Sequence, residues 1–196
     1  MKHHDESQIK EDHPRAQGKR EAFIYPSEKI AVEKTLLDFN KGETALAIFR
    51  PGQIIDSKKG PPKKILNIGP WHLGIGIGNG RNLMAYIHAQ DVADAVLQWL
   101  VHGKDSALFN VVPSVKMSAR EWSRLWGLHN GIAIRPIFLP TGMFYLAHLG
   151  VALLKKSLGK ESRSDIKYAI ACATRNISYS NKYLKESLNW VDRATT

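Results

Sequence analysis

The sequence predicts an α/β domain, on three observations. Ala45 to Phe49 and Leu108 to Val112 are continuously apolar over strand length, which suits strands buried on both faces, as in a parallel sheet. These runs alternate with amphipathic stretches of helical length, the pattern of α/β architecture. The composition is that of an ordinary globular chain: 196 residues, 43 % hydrophobic and 23 % charged. That is enough to bury a core without staples, and it argues against disorder or a fibre.

The elements follow in order. Met1 to Glu21 is polar and charge-rich and has no apolar segment of the secretory kind. Tyr25 to Asn40 reads as a helix. Pro26 suits its first turn, Ile30, Val32, Leu36, Leu37 and Phe39 supply apolar positions, and Gly42 stops it. The strand Ala45–Phe49 is closed by Pro51. Asp56 to Gly69 is a Lys/Pro/Gly loop. Gly74 to Gly80 carries four glycines with Asn79-Gly80 as a turn signal, and Leu83 to Ile87 is extended. Asp91 to His102 is an amphipathic helix with Val92, Ala95, Val96, Trp99 and Leu100 inward and Gly103 as its stop. Ser118-Ala-Arg-Glu121 is a capping box that opens a helix to about His129. Ile132 to Ile137 is extended. Further helices fall near 141–157, 163–171 and 181–187.

The net charge is +10, from 28 basic and 18 acidic residues, and it is concentrated in the second half of the chain. Its densest cluster is Lys155, Lys156, Lys160, Arg163 and Lys167. No nucleic-acid motif or interleaved aromatics accompany the cluster, so nucleic acid is not an expected partner. A solvated basic face or an anionic small molecule accounts for it more simply. Cys172 is the single cysteine, which excludes an intramolecular disulfide and gives a cytoplasmic location as the default. Ile137 to Leu154 carries no charge over 18 residues, but Pro140 and Gly142 interrupt its start. The expected helix is then too short to cross a bilayer. It is expected to be covered by protein on most sides over the substrate cleft, with a membrane-surface helix as the alternative.

Tyr25 and Lys29 carry the sharpest chemical signal. Four residues apart at a helix start, they share one face. An ammonium beside a phenol stabilises the phenolate and suits the phenol to exchange protons with a substrate hydroxyl. Other candidates have plainer readings. His3, His4 and His13 lie in the polar segment without fixed geometry, so no metal site is expected. His88 and Asp91 read as a helix cap, Trp122 and Trp126 as core, and Cys172 as a buried thiol.

The ordered set Tyr25-Pro-Ser-Glu-Lys29, Glu33, Phe49-Arg50-Pro51-Gly52, Gly78-Asn79-Gly80, Tyr86-Ile87-His88, Asp91-Val92-Ala93-Asp94-Ala95 and Tyr179-Ser-Asn-Lys182 through Leu188-Asn189-Trp190 resembles the later half of an extended short-chain dehydrogenase/reductase. The resemblance is to the NAD-dependent epimerase/dehydratase kind and covers about Tyr25 to Trp190. It implies the C-terminal part of a doubly wound, Rossmann-like parallel sheet plus a small mixed α/β substrate-binding lobe. The implied organisation is a polar N-terminal tail over 1–24, the remainder of a dinucleotide-binding domain with interleaved lobe segments over 25–112, and a C-terminal substrate-binding lobe over 113–196. The family's glycine-rich phosphate loop and its catalytic Ser/Thr have no counterpart. The expectation is therefore a fragment or truncated product, inactive in isolation.

The resemblance also implies roles. Tyr25 would be the general acid/base, and Lys29 would hold the nicotinamide ribose and tune Tyr25. Pro51, Gly52, Gln53 and Ile54 would meet the carboxamide of NAD or NADP, and Arg50 would be structural. Met84 stands where nucleotide-sugar epimerases place a diphosphate-clamping Arg, with Arg81 nearby, so both are substrate-binding candidates. The implied reaction is hydride transfer on a nucleotide-sugar or a hydroxy/keto substrate, with a homodimer left open. The alternatives are a cofactor-free binding module and a membrane-surface, sterol-dehydrogenase-like reductase.

Overall fold

The computed structural model describes residues 8–12, 24–40, 44–55, 67–68, 73–103, 105–129, 131, 133–159, 170–171, 174 and 176–193. The chain divides into two compact units. One takes 1–57, 85–115 and 178–196; the other takes 58–84 and 116–177. The chain thus enters each unit more than once, and the sequence boundaries at 24/25 and 112/113 do not coincide with theirs.

The first unit is built on parallel strand pairs. The helix α1, Ile24–Phe39, leads to β2, Ala47–Pro51, which pairs in parallel with β8, Ala107–Val111, from Ala47 opposite Ala107 to Pro51 opposite Val111. Strand β3, Gln53–Ile55, pairs in parallel with β7, Tyr86–His88. The Gly52 N–H donates to the Val111 carbonyl at 3.0 Å and the Gln53 N–H to the Ala85 carbonyl at 2.7 Å, so β2 and β3 bind successive neighbours through one short bend. The helix α2, Ala89–His102, follows β7, and α5, Lys182–Leu188, closes the unit.

Apolar side chains from β2, β7, β8, α2 and α5 meet in one core, with Trp190 just beyond α5. Ile87, Ala95, Phe109, Val111, Leu184, Leu188 and Trp190 are buried together, with Phe49, Val92, Trp99 and Ala107 packed against them. Phe109 stacks on Tyr183 at 5.3 Å and lies 5.5 Å from Phe49, the spacing at which offset aromatic rings attract. The inward positions expected for the second helix are met at Val92, Ala95 and Trp99, whereas Leu100 is exposed. The polar first segment is not wholly a tail. Gln8–Ile9 forms β1, parallel to β11, Ser178–Tyr179, and the Glu11 carboxylate accepts the Asn110 backbone N–H at 3.0 Å.

The second unit holds β4 (Asn67–Ile68), β5 (Leu73–Ile77) and β10 (Arg135–Leu139) in one sheet, with β5 central, parallel to β10 and antiparallel to β4. The glycine-rich stretch read as turn-bearing is therefore a strand from 73 to 77, and the turn is confined to 78–80. The strand expected at 132–137 begins three residues later. A short antiparallel pair joins β6, Leu83–Met84, to β9, Met117–Ser118. The capping box forms as read: the Ser118 backbone N–H donates to the Glu121 carboxylate at 2.6 Å, and the Glu121 N–H donates to the Ser118 hydroxyl at 3.3 Å. It opens α3, Ala119–His129, with Trp122 buried. The side chain of Trp126 lies outside the described residues, as do Cys172 and most of the helix expected at 163–171.

The 137–154 segment departs from expectation. It contributes α4, Thr141–Ser157, 17 residues long, and the described apolar side chains of that helix are mostly exposed rather than covered. No helix among the described residues is long and apolar enough to cross a membrane.

Candidate functional site

The position of α1 is set by one ion pair. Residues 40–46 join the end of α1 to the start of β2. Glu33, in the middle of α1, meets Arg50, one residue before the end of β2, with Nε–Oε2 at 3.1 Å and Nη2–Oε1 at 2.5 Å. This contact ties the middle of α1 to the last residues of β2, and Tyr25 and Lys29 sit on the first two turns of the same helix. In open α/β sheets ligands bind beyond the carboxyl ends of the strands. Arg50 also donates from Nη1 to the Glu11 carbonyl at 3.2 Å, so a half-buried guanidinium ties α1, β2 and the 8–12 segment together. The sequence marks Arg50 as structural, which agrees; Glu11, 39 residues away, carries no local signal for this contact.

Tyr25 and Lys29 are brought together as the spacing implies. The Lys29 ammonium lies 5.6 Å from the centroid of the Tyr25 ring, within cation–π range. Both side chains are exposed, Tyr25 at 59 %. Of the other tyrosines in the sequence pattern, Tyr86 is buried, which pushes its phenol well above the usual range, and Tyr179 is exposed at the opposite end of the sequence motif set. Tyr25 is the exposed phenol with an ammonium beside its ring.

The segment 51–54 lies at the same strand end. The Gly52 and Gln53 backbone N–H groups are committed to Val111 and Ala85, and Pro51 has no N–H to offer. What faces outward is the side chains of Pro51, Gln53 and Ile54. Gly52 serves packing: a Cβ there would lie 2.1 Å from the Ala85 carbonyl oxygen, so only glycine lets the backbones approach this closely.

Arg81 and Met84 belong to the other unit. The Arg81 backbone N–H donates to the Asn79 side-chain oxygen at 2.9 Å and its side chain is exposed, while Met84 is half-buried with the Asn82 amide 3.2 Å from its sulfur. The two therefore do not share a unit with Tyr25 and Lys29.

The glycines of 74–80 have a structural explanation. A Cβ on Gly76 or on Gly80 would lie 2.5 Å from the Phe138 ring, and Gly78 and Gly80 have φ of +85° and +71°. The Phe138 ring also has the Arg120 guanidinium 4.9 Å from its centroid. This run packs under an aromatic ring and leads into β6, not into a helix whose N-terminus could receive a phosphate. The groups of this set open to a solute are the Tyr25 phenol and the Lys29 ammonium, together with the side chains of Pro51, Gln53 and Ile54. Among the described residues this run offers no helix N-terminus to cradle the pyrophosphate of a dinucleotide.

His88 and Asp91 do not form the expected cap. His88 is the N-cap of α2 without a side-chain cap hydrogen bond. Asp91 is 1 % exposed and accepts the Arg193 backbone N–H at 3.2 Å, while the Trp190 indole donates to the Asp91 carbonyl at 3.0 Å. Asp91 fastens the end of the chain to α2, a pairing across about a hundred residues that local sequence does not signal. Among the described residues no group of three or more His, Cys, Asp or Glu could hold a metal ion; His3, His4 and His13 lie outside them.

No model of a protein family matches the chain, and no curated protein matches it. Solved structures do. The chain is similar to gox2253 at 18 % identity and a TM-score of 0.67, covering 95 % of this chain and 56 % of that one. It is similar to DesIV, a dTDP-glucose 4,6-dehydratase from Streptomyces venezuelae with NAD and TYD bound, at 10 % identity and a TM-score of 0.58, covering 96 % and 50 %. It is also similar to the UDP-glucose 4-epimerase of Thermotoga maritima with UDP-glucose, at 15 % identity and a TM-score of 0.55, covering 87 % and 48 %. The likeness is one of fold: a mixed α/β architecture with parallel strand pairs. The chain spans about half the length of the structures it matches.

Proposed function

We propose that the chain carries the proton-transfer pair and the nicotinamide-end surface of an NAD(P)-linked oxidoreductase or isomerase of the epimerase/dehydratase kind. The observation that carries this reading is the exposed Tyr25–Lys29 pair on the first two turns of α1, a helix that Glu33 and Arg50 tie to β2. Its ordered motifs resemble that family, and structures of the same fold include a dehydratase with NAD bound and an epimerase with UDP-glucose.

In this reading the Tyr25 hydroxyl exchanges a proton with a substrate hydroxyl or keto oxygen. Lys29 stabilises the phenolate that forms and donates to the nicotinamide ribose. The exposed Gln53 amide and Ile54 side chain border the carboxamide, since the Gly52 and Gln53 backbone donors are already used. Bound nicotinamide would supply the hydride acceptor or donor. The substrate is a nucleotide-sugar or a hydroxy/keto compound. With Met84 at the position of the expected diphosphate clamp, the second of these needs fewer added contacts.

The test uses nicotinamide mononucleotide, which needs the nicotinamide end alone, beside NADH. Saturation-transfer NMR is expected to show contact between the mononucleotide and the chain, and Lys29→Ala to weaken it. Calorimetry is expected to show NADH binding only weakly, because the second half of the dinucleotide gains no phosphate-binding helix N-terminus from the described residues. A low-micromolar dissociation constant for NADH, or mononucleotide contact untouched by Lys29→Ala, would overturn the assignment.

A further inference from the structure

The helix α4 leaves more apolar surface in water than any role inside one unit explains. Met143, Tyr145, Leu146, Leu149, Val151, Leu153 and Leu154 on the helix, and Leu158 just after it, are each between 45 % and 68 % exposed. Of its described side chains only Phe144 and His148, one turn apart, are half-buried. They mark the one side of α4 that is partly covered. At about 100° per residue the exposed apolar positions sweep roughly two thirds of the helix circumference.

That breadth separates the occupants such a surface can take. A second copy of the chain, packing helix on helix, covers one face and leaves the remaining apolar positions wet. An apolar solvent covers them all, and a helix hydrophobic all round is a mark of a core or a membrane environment. The charge pattern points the same way. No charged residue lies between Arg135 and Lys155, and Lys155-Lys156 then close the helix. The sequence continues with Lys160, Arg163 and Lys167, and the chain as a whole carries +10. Cations that follow directly on an apolar helix complement anionic headgroups lying above hydrocarbon. At 17 residues, about 25 Å, α4 is too short to span, which leaves it in the interface.

We infer that α4 is a monotopic membrane helix that seats this chain on the surface of an anionic phospholipid bilayer. Its lipid-facing side comprises Met143, Leu146, Leu149, Leu153 and Leu154, and the half-buried Phe144–His148 stripe faces away from the lipid. This replaces the expectation that protein covers the helix. It is independent of the catalytic reading, because it uses no residue of α1 or β3.

The experiment is flotation of the 196-residue chain with phosphatidylcholine vesicles containing about one-third phosphatidylserine, compared with phosphatidylcholine alone. The chain is expected to float with the anionic vesicles, and less so as salt is raised. Leu149→Glu with Leu153→Glu alters two solvent-facing positions and is expected to reduce the floated fraction about tenfold or more. Phe39→Glu, on α1 and 85 % exposed, is expected to float like the parent. A Leu146→Trp variant gives a readout independent of these charge changes: brominated acyl chains are expected to quench its emission more than that of the parent with its five tryptophans. Absence of flotation, or flotation and quenching unaffected by the double substitution, overturns the inference. So does a chain that is dimeric without lipid and becomes monomeric with the double substitution, which would assign the face to a second copy.

Discussion

Glu33 on α1 holds Arg50 on β2 through two hydrogen bonds, one of them 3.1 Å from Nε to Oε2, and this contact ties the helix that carries Tyr25 to that strand. The pair is half-buried, and Arg50 is further held by the Glu11 carbonyl. Truncating Glu33 leaves a guanidinium poorly satisfied beside a strand, while truncating both removes the charge and its partner together.

Glu33→Ala is therefore expected to destabilise the chain by about 1.5–3 kcal/mol, the range for a hydrogen bond to a charged group. Urea unfolding measures this, and a double-mutant cycle with Arg50→Ala isolates the pairwise part. Additive single effects would remove Glu33 and Arg50 as the clasp between α1 and β2.

Tyr25→Phe tests the proton carrier. On the proposed function, the substitution is expected to lower turnover by about two to four orders of magnitude, the usual contribution of a general acid or base. Nicotinamide cofactor affinity should be little changed, since the phenyl ring is retained. Near-normal turnover by the Phe variant excludes Tyr25 from that role.

Two glycines are expected to respond in opposite directions. Gly52→Ala drives a Cβ to 2.1 Å from the Ala85 backbone oxygen, which cannot swing away, so the β2–β3 bend must open. A loss of about 2 kcal/mol or more is expected. Gly150→Ala, in the middle of α4 with nothing within 4 Å of its Cβ, is expected to stabilise by about 0.5–1 kcal/mol through helix propensity. Thermal or urea midpoints of the two variants check both signs.

Asp91 makes the stability depend on pH. Burial pushes its carboxyl above the ordinary aspartate range, against the opposing pull of the Arg193 backbone N–H and of the His88 and Arg193 charges. The native chain therefore holds this proton more tightly than the unfolded chain does. The contribution of Asp91 to stability is full below the ordinary value of about 4, and it declines as pH rises through the raised value. Asp91→Asn keeps an acceptor for the Arg193 N–H and removes the titration. The stability of the variant relative to the parent should rise over that window, read as urea midpoints at successive pH values. A pH-independent difference would show that Asp91 does not titrate in this way.

What the sequence alone determined follows from short-range patterning. The spacing of Tyr25 and Lys29 put them on one helix face, the Ser118–Glu121 box opened a helix, and unbroken apolar runs at 45–49 and 108–112 located paired parallel strands. Each depends on residues a few positions apart, so periodicity and capping chemistry suffice to read it. Tertiary structure decided the rest. Glu11 and Asn110, Asp91 and Arg193, and Ser114 and Asp192, whose side chains hydrogen-bond, are joined over spans of about 80 to 100 residues that no local pattern encodes. Gly76 in β5 and Gly80 in the turn after it leave room for the Phe138 ring, a requirement visible only once β10 lies beside β5. The 141–157 stretch was legible as an apolar helix, but whether it is covered depends on what surrounds it. Hydrophobicity states that a surface is costly in water, and only the packed chain shows which surfaces remain there.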